Sequence, residues 1–499
     1  MMKLFLETFG CQMNVLDSEL VLNQLRAMGY EQTAARDEAD VVIFNTCSVR
    51  EHAEQKVWSR LGELRQTKAQ KPHLVIGMIG CMAERQGDAI FRRYPHLDIL
   101  CGPGELDKLP AMLQTATLSN AVAAESPVSD QQFQTSDRRS KFNKHQSALM
   151  SPNIRSSPSL AAADDNLELL DLSRSVSPAD GSTQAYVRIT RGCNKFCSYC
   201  VVPYTRGPEV HRPPENIVQE VRKLADAGVL EVTLLGQTVN HYAYRRADGR
   251  TTTFAELLHQ VHEAVGHLPR LRFVTSFPRD FTDEALQVMR DCPRICHYLH
   301  IPAQHGSDRL LKMMNRGYTV AQYRDLIDRA RSYMPDICIA SDFIVGFPTE
   351  TDEEFQQTVD LIRDCRFKNS FIFKYSPRPG THAMQRYADD VPEEVKRNRN
   401  NELLAVQGEV CAANNAAMVG QTVEVMVQGE GTPHTPPATA GSVELGWEKQ
   451  RGTLPTRQML GRTRGDQIVA FDGEASMKGR LLSVRITGAR QMTLFGQLA

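Results

Sequence analysis

The 499-residue chain carries 58 Lys and Arg against 59 Asp and Glu, and 41% of its residues are hydrophobic. Such a balance excludes nucleic-acid binding through overall charge, so any such binding has to come from a local patch. The length implies about two to four domains, and the longest apolar stretch, around Leu74–Ala83, is far too short to cross a bilayer. Twelve cysteines, with Glu7 and no long apolar run at the N-terminus, predict a soluble cytoplasmic protein whose thiols bind metal rather than pair as disulfides.

Lys3–Thr8 reads as a strand. Ser18 is the expected N-cap of the next helix, with Val21, Leu25 and Met28 at helical spacing before Gly29. Val41–Asn45 and Leu74–Ile79 are further strands, with a helix over Ala53–Leu64 between them, and the alternation predicts an open parallel α/β sheet. Cys11, Cys47 and Cys81 each follow one of these strands, in the contexts Phe9-Gly-Cys-Gln-Met-Asn, Asn45-Thr-Cys-Ser-Val-Arg and Ile79-Gly-Cys-Met-Ala. Strand ends of such a sheet converge on one crevice, so these cysteines are expected to meet. Small or turn-forming neighbours let the backbone approach a bulky group. Taken singly, each is as well read as an ordinary strand-end thiol; the shared position favours a three-cysteine cluster site. Cys101 follows another candidate strand, Leu97–Leu100, and is read as a spectator, with ligation the alternative.

Residues 1–115 are therefore read as one α/β domain. From 116 to 180 the pattern dissolves into a serine-rich stretch, with ten serines between Ser136 and Ser177. That composition buries too little surface to offset chain entropy, so a flexible linker or insertion without chemistry is expected.

Residues 181–415 show six candidate strands: Ala185–Thr190, Glu231–Leu235, Leu271–Thr275, His297–Ile301, Ile337–Val345 and Phe371–Tyr375. Helical patterns such as Ile217–Ala227 and Phe355–Arg363 lie between them, so a partial (βα)6 barrel is expected, with its active site on the loops after the strands. After the first strand comes Arg191-Gly-Cys-Asn-Lys-Phe-Cys-Ser-Tyr-Cys, a C-x3-C-x2-C spacing formed by Cys193, Cys197 and Cys200. Thiolates this close suit an iron–sulfur cluster, and three ligands on a four-iron cube leave one iron free for a group that is not protein. A zinc site or inert thiols are the alternative. Cys292 and Cys296, a C-x3-C pair beside Pro293, read as buried or surface thiols, with metal binding the alternative, and Cys338, Cys365 and Cys411 read as core or helix residues.

The last segment, 418–490, is expected to be a small β-barrel, with strands at Thr422–Val427, Gln467–Phe471 and Leu481–Ile486. Between Arg451 and Ala499 it holds eight basic residues against three acidic ones. A basic barrel at a chain end reads as an RNA-binding appendage, with a solvated basic face as the alternative.

The C-x3-C-x2-C loop resembles that of the radical S-adenosylmethionine enzymes, and the whole arrangement resembles the methylthiotransferase family, whose C-terminal module is TRAM-like. The words that carry the likeness include Gly10-Cys-Gln-Met-Asn, Asn45-Thr-Cys-Ser-Val-Arg-Glu and Cys200-Val-Val-Pro-Tyr-Thr-Arg-Gly. Also similar are Leu234-Leu-Gly-Gln, Lys312-Met-Met-Asn-Arg-Gly-Tyr-Thr, Ser341-Asp-Phe-Ile-Val-Gly-Phe-Pro and Tyr375-Ser-Pro-Arg-Pro-Gly-Thr. Thr238, His241 and His305 depart from the residues usual at their places.

The resemblance implies two [4Fe–4S] clusters, one on Cys193, Cys197 and Cys200 that yields a radical from S-adenosylmethionine, and an auxiliary one on Cys11, Cys47 and Cys81. It implies S-adenosylmethionine contacts at Gly236, Gln237 and Gly346. It also implies methylthiolation at C2 of dimethylallyl-adenosine just 3′ of the tRNA anticodon. Expected partners are the tRNA anticodon stem-loop and an electron donor such as flavodoxin or ferredoxin, with no membrane and a monomeric chain. Alternatives are the same chemistry on threonylcarbamoyl-adenosine or on a ribosomal-protein aspartate. A non-enzymatic electron carrier fits poorly, since carriers close each cluster with four ligands.

Overall fold

The computed structural model describes residues 1–48, 51–125, 158–174, 183–431 and 457–499. The leading sheet has five parallel strands, β1 (Met2–Thr8), β2 (Tyr30–Gln32), β3 (Val41–Thr46), β4 (Val75–Gly80) and β5 (Ile99–Cys101), in the order β2-β1-β3-β4-β5. Strands β3 and β4 are buried along their whole length, which is why they read as apolar runs rather than alternating ones. Val41, Ile43 and Val75 pack with Leu16, Leu20 and Leu113 on one face, while Val42, Phe44 and Ile76 meet Val57 and Leu61 on the other. The register pairs Thr8 with Asn45 and Thr46 with Gly80, so the three strands end level.

Three expectations in this region are corrected. The first helix spans Gln12–Ala27 with Cys11 at its N-cap, so Ser18 lies inside it rather than capping it. The turn at Gly10, with φ 112°, starts the helix earlier, and the Ser18 hydroxyl instead pairs with Thr8 Oγ1 at 2.7 Å and accepts from Asn45 Nδ2 at 2.9 Å. The helix Leu109–Glu125 runs through the expected boundary at 115, and a second helix, Pro158–Leu172, stands inside the segment read as a linker without chemistry. Its Leu167 and Leu170 join the sheet core, and its Glu168 and Asp171 form buried ion pairs. The serine content of the segment masked this short Leu- and Glu-bearing run; the segment's other residues, 126–157 and 175–182, lie outside the described residues.

The central domain carries Gln184–Arg188, Glu231–Leu235 and Arg270–Phe273 in one parallel sheet, and Tyr298–His300, Cys338–Val345 and Asn369–Lys374 in a second. A parallel bridge between Leu271 and Ile295 spans the break, giving the expected partial barrel of six strands.

The chain ends in a closed five-stranded barrel built from Thr422–Glu430, Arg457–Thr463, Ile468–Gly473, Leu481–Ala489 and Thr493–Leu498. Its last strand lies beyond the expected end at 490. This barrel docks on the starting ends of the central strands. Arg270 reaches Glu424 at 2.8 Å, Arg272 reaches the Arg464 carbonyl at 3.1 Å, Lys368 reaches Asp466 at 2.9 Å and Gln467 reaches Cys338 Sγ at 2.9 Å. Part of its basic excess is spent internally, on the pairs Arg457–Glu430 and Arg462–Asp466. Lys478, Arg480, Arg485 and Arg490 stay exposed, and Arg451 lies outside the described residues. No helix among the described residues is long and apolar enough to cross a membrane.

Candidate iron–sulfur site between the sheet and the barrel

Cys11, Cys47 and Cys81 sit just past the level ends of β1, β3 and β4. A Cβ on Gly10 would stand 2.4 Å from Cys47 Cβ and 2.9 Å from Cys47 Sγ, so only glycine lets the first strand's turn lie against the second thiol. Asn14 braces the crevice, donating to the Phe9 carbonyl at 2.8 Å and the Thr46 carbonyl at 2.9 Å. A hydrogen bond from Cys47 holds the Cys11 thiol down to about 5 against the opposing effect of burial, with the charge of Arg206 assisting. Burial pushes Cys81 up, opposed by Arg206.

Arg206 comes from the barrel. It follows the short helix Val202–Thr205, donates from Nε to Cys81 Sγ at 3.1 Å, and donates from Nη2 to Asn14 Oδ1 and Asp17 Oδ2, both at 2.9 Å. Burial works against its charge, but Cys81 and Asp17 outweigh burial and push its pKa up. Asp17 is in turn bound by Arg188 at 3.0 Å, and Arg188 by Asp171 at 2.7 Å. Arg191 and Arg212 close the array on Glu168 at 3.0 and 2.8 Å. This buried network locks the sheet, the helix Pro158–Leu172 and the first barrel strand together; buried charges are tolerated here because each has partners.

The second set lies on the loop after the first barrel strand, clipped at its base by the antiparallel pairing of Thr190–Arg191 with Val210–His211. Gly192 has φ 65°, and a Cβ there would fall 1.9 Å from the Pro208 carbonyl. The turn at Met314 and Asn315 supports the loop, through Ser198 N–H to the Met314 carbonyl at 2.9 Å and Asn315 Nδ2 to the Phe196 carbonyl at 2.9 Å. Arg316 donates to Cys197 Sγ at 3.3 Å and lies 4.5 Å from the Phe277 ring centroid. Burial raises Cys193 to about 11 and pushes Cys200 up as well.

Each set thus has one buried guanidinium donating to one of its sulfurs, an arrangement that suits thiolates holding a cluster. Asn45 Oδ1 and Ser48 Oγ beside the first set, and the Thr190 and Ser198 hydroxyls on the strand and loop that carry the second, are buried without hydrogen-bond partners. Free thiols, glycine-lined backbone, donor groups and orphaned polar atoms fit two iron–sulfur groups and a polar ligand.

A relative from Rhodopirellula baltica named tRNA-2-methylthio-N(6)-dimethylallyladenosine synthase is 45% identical, over 99% of this chain and 95% of the relative. The chain belongs to the tRNA-2-methylthio-N(6)-dimethylallyladenosine synthase family. Members from Neisseria meningitidis and Moorella thermoacetica are each 39% identical, over 100% and 98% of this chain and 99% and 97% of theirs. The model described as "Uncharacterized protein family UPF0004" matches residues 3–102, and that of the "Radical SAM superfamily" matches residues 187–362. Among solved structures, the radical S-adenosylmethionine methyltransferase TsrM from Kitasatospora setae, with cobalamin and a [4Fe–4S] cluster bound, shares the fold. It does so at TM-score 0.50 and 15% identity, over 77% of this chain and 74% of that one. As a member of the family, the chain is a radical S-adenosylmethionine enzyme, which implies a [4Fe–4S] cluster and S-adenosylmethionine.

The other expected site residues fall on strand ends. Gly236 is required by packing, since a Cβ would stand 2.3 Å from Thr190 Oγ1. Gln237 follows it half-buried. Gly346, with φ 70°, packs on Lys396, and its N–H is taken by Glu350. His305 is buried against Glu350 at 2.7 Å. Cys101 directs its thiol to the Gly102 and Glu105 carbonyls at 3.5 and 3.3 Å, Cys292 lies 3.8 Å from His259 Nδ1, and Cys296 is buried.

Sequence reasoning missed Arg206, Asn14 and Arg316 as site residues. All three stand in the words that carried the family likeness, in Gln12-Met-Asn14, Thr205-Arg-Gly and Asn315-Arg-Gly, but only the cysteines were given roles there.

Proposed function

We propose that this chain replaces the C2 hydrogen of N6-(dimethylallyl)adenosine, just 3′ of the tRNA anticodon, with a methylthio group. The observation that carries the reading is the pair of three-cysteine sets, with Arg206 of the barrel reaching across the domain boundary to Cys81, Asn14 and Asp17. Cys193, Cys197 and Cys200 would hold one [4Fe–4S] cluster beside S-adenosylmethionine, and Cys11, Cys47 and Cys81 a second. Together these groups supply one-electron chemistry, sulfur and a methyl group, which side chains cannot provide for an unactivated aromatic C–H bond.

The chain's own residues bind and orient. Arg206 and Arg316 direct N–H groups at Cys81 and Cys197, which fixes the rotamers of both side chains. Gly236 and Gln237 lie beside the second set to take the polar end of S-adenosylmethionine. Gly346 contributes by lacking a side chain, because its N–H is already engaged by Glu350. The target base sits in an unpaired loop, where extrusion into a buried site is least costly. Exposed Lys478, Arg480, Arg485 and Arg490 attract the tRNA backbone at a distance from that base, because their barrel docks on the opposite end of the central strands. An electron donor of flavodoxin or ferredoxin type and action as a monomer complete the reading.

The test is mass spectrometry of tRNA nucleosides from cells lacking the protein, complemented by the wild type or by the triple replacement of Cys11, Cys47 and Cys81 with Ala. Loss of the methylthio mark with accumulation of the dimethylallyl precursor is expected without the protein and with the triple variant. An unchanged mark in either strain overturns the proposal.

A further inference from the structure

Outside the two thiol sets, the ligand atoms of Glu209, His211 and His241 all lie within 4.8 Å of one another. Glu209 and His211 leave the cysteine loop on the strand that clips its base, and His241 lies on the turn Val239–His241 that follows the second barrel strand. Two elements far apart in sequence thus bring two imidazoles and a carboxylate to one place at the rim of the barrel.

Glu209 has few polar partners for a carboxylate so enclosed. Its side chain is 1% exposed, yet its contacts are to Thr238 Oγ1 at 2.9 Å and His241 Nδ1 at 2.7 Å. No Lys or Arg pairs with it among the described residues, whereas the buried carboxylates Asp17, Asp171 and Glu220 all meet guanidinium groups. A buried carboxylate without a cation is costly. Thr238 anchors Oε1 and leaves Oε2 toward the histidines, the role a hydroxyl plays behind a metal-binding carboxylate.

The imidazoles suit the same end. Burial, the largest influence, lowers the pKa of His211, which favours the neutral ring that can donate a lone pair. The Ala243 N–H reaches its Nδ1 only at 3.4 Å, so little is lost when the ring turns either nitrogen to an ion. His241 is 42% exposed and free to close the last distance.

We propose that Glu209, His211 and His241 form a binding site for one divalent ion of the zinc class, separate from the six cluster cysteines. Two imidazoles and one carboxylate with an exposed fourth side match what such ions take. The ion would tie the cysteine loop to the turn after the second strand.

The test uses the full chain with its clusters assembled anaerobically, incubated with zinc chloride, freed of excess metal and analysed for zinc and iron. The wild type is expected to retain about one zinc per chain with its iron unchanged. His241→Ala and His211→Ser should each lower zinc affinity by at least about 10-fold, and Thr238→Val by roughly 10-fold with every ligand kept. Because His241 is exposed, its variant keeps the fold, and iron content verifies this. Absence of retained zinc in the wild type, equal retention in the His241→Ala protein, or zinc uptake matched by iron loss would each overturn the proposal, the last by locating the ion on the cysteines.

Discussion

Replacing Arg206 by Gln takes a positive charge away from Cys81 Sγ, 3.1 Å from the guanidinium Nε. The fold survives, because Asp17 keeps its 3.0 Å bond to Arg188. The cost is that of a charged hydrogen bond, about 1.5–3 kcal/mol, rather than the roughly 3–5 kcal/mol of an orphaned buried charge. Cluster energetics respond differently. An electron added to a cluster spreads over it; taken as about 6 Å from the guanidinium at an effective dielectric of about 20, it is stabilised by about 3 kcal/mol. For one electron this is roughly 120 mV. Asp17, 2.9 Å from the same guanidinium, offsets part of that, so the potential of the cluster proposed on Cys11, Cys47 and Cys81 should fall by about 50–120 mV. The assay is a redox titration followed by electron paramagnetic resonance, in a background where Cys193, Cys197 and Cys200 are Ala so that one cluster reports. A midpoint within about 20 mV of the parent at equal iron content would refute the electrostatic role of Arg206.

Three further outcomes are expected. In cluster-free protein, Cys11, with its pKa near 5, is thiolate at neutral pH, while Cys193, near 11, is not. Alkylation mapped by mass spectrometry between about pH 4 and pH 8 should label Cys11 with a rise near pH 5 and leave Cys193 unlabelled; equal rates reject this. Burial, with Glu105 assisting, raises the Glu84 carboxyl from 4.5 to about 7. The folded state therefore holds this proton more tightly than the unfolded one, and its contribution is full below pH 4.5 and lost as pH rises through 7. Glu84→Gln should gain on the wild type by up to about 3 kcal/mol between about pH 4.5 and pH 8, read from urea midpoints; a gap independent of pH contradicts it. Gly192→Ala forces a Cβ to 1.9 Å from the Pro208 carbonyl, so the variant should keep about four irons per chain of about eight. Full iron occupancy would show that the loop can shift.

Strands Val41–Thr46 and Val75–Gly80 were legible because fully buried parallel strands are continuous apolar runs. With the strands placed, the meeting of Cys11, Cys47 and Cys81 followed from parallel topology. What binds the sets together was not legible. Arg206 and Cys81 are 125 residues apart, and Arg316 and Cys197 are 119 apart, so no local pattern announces either pair. The helix Pro158–Leu172 was lost in the serine-rich surroundings, although Asp171 pairs with three arginines. In the tail, Arg457–Thr463 and Thr493–Leu498 escaped because charged residues and glycines interrupt their alternation. Its local charge overstated the exposed basic surface, since Arg457 and Arg462 are spent on Glu430 and Asp466.

The sulfur-bearing crevice of the leading domain does not belong to that domain alone. A fragment ending at Glu125 would carry all three thiols yet lack the barrel's guanidinium that faces Cys81. Loading of the proposed cluster into that crevice should therefore depend on closure of the two domains on each other, and a lesion in the barrel loop at Arg206 should register as a defect in its neighbour.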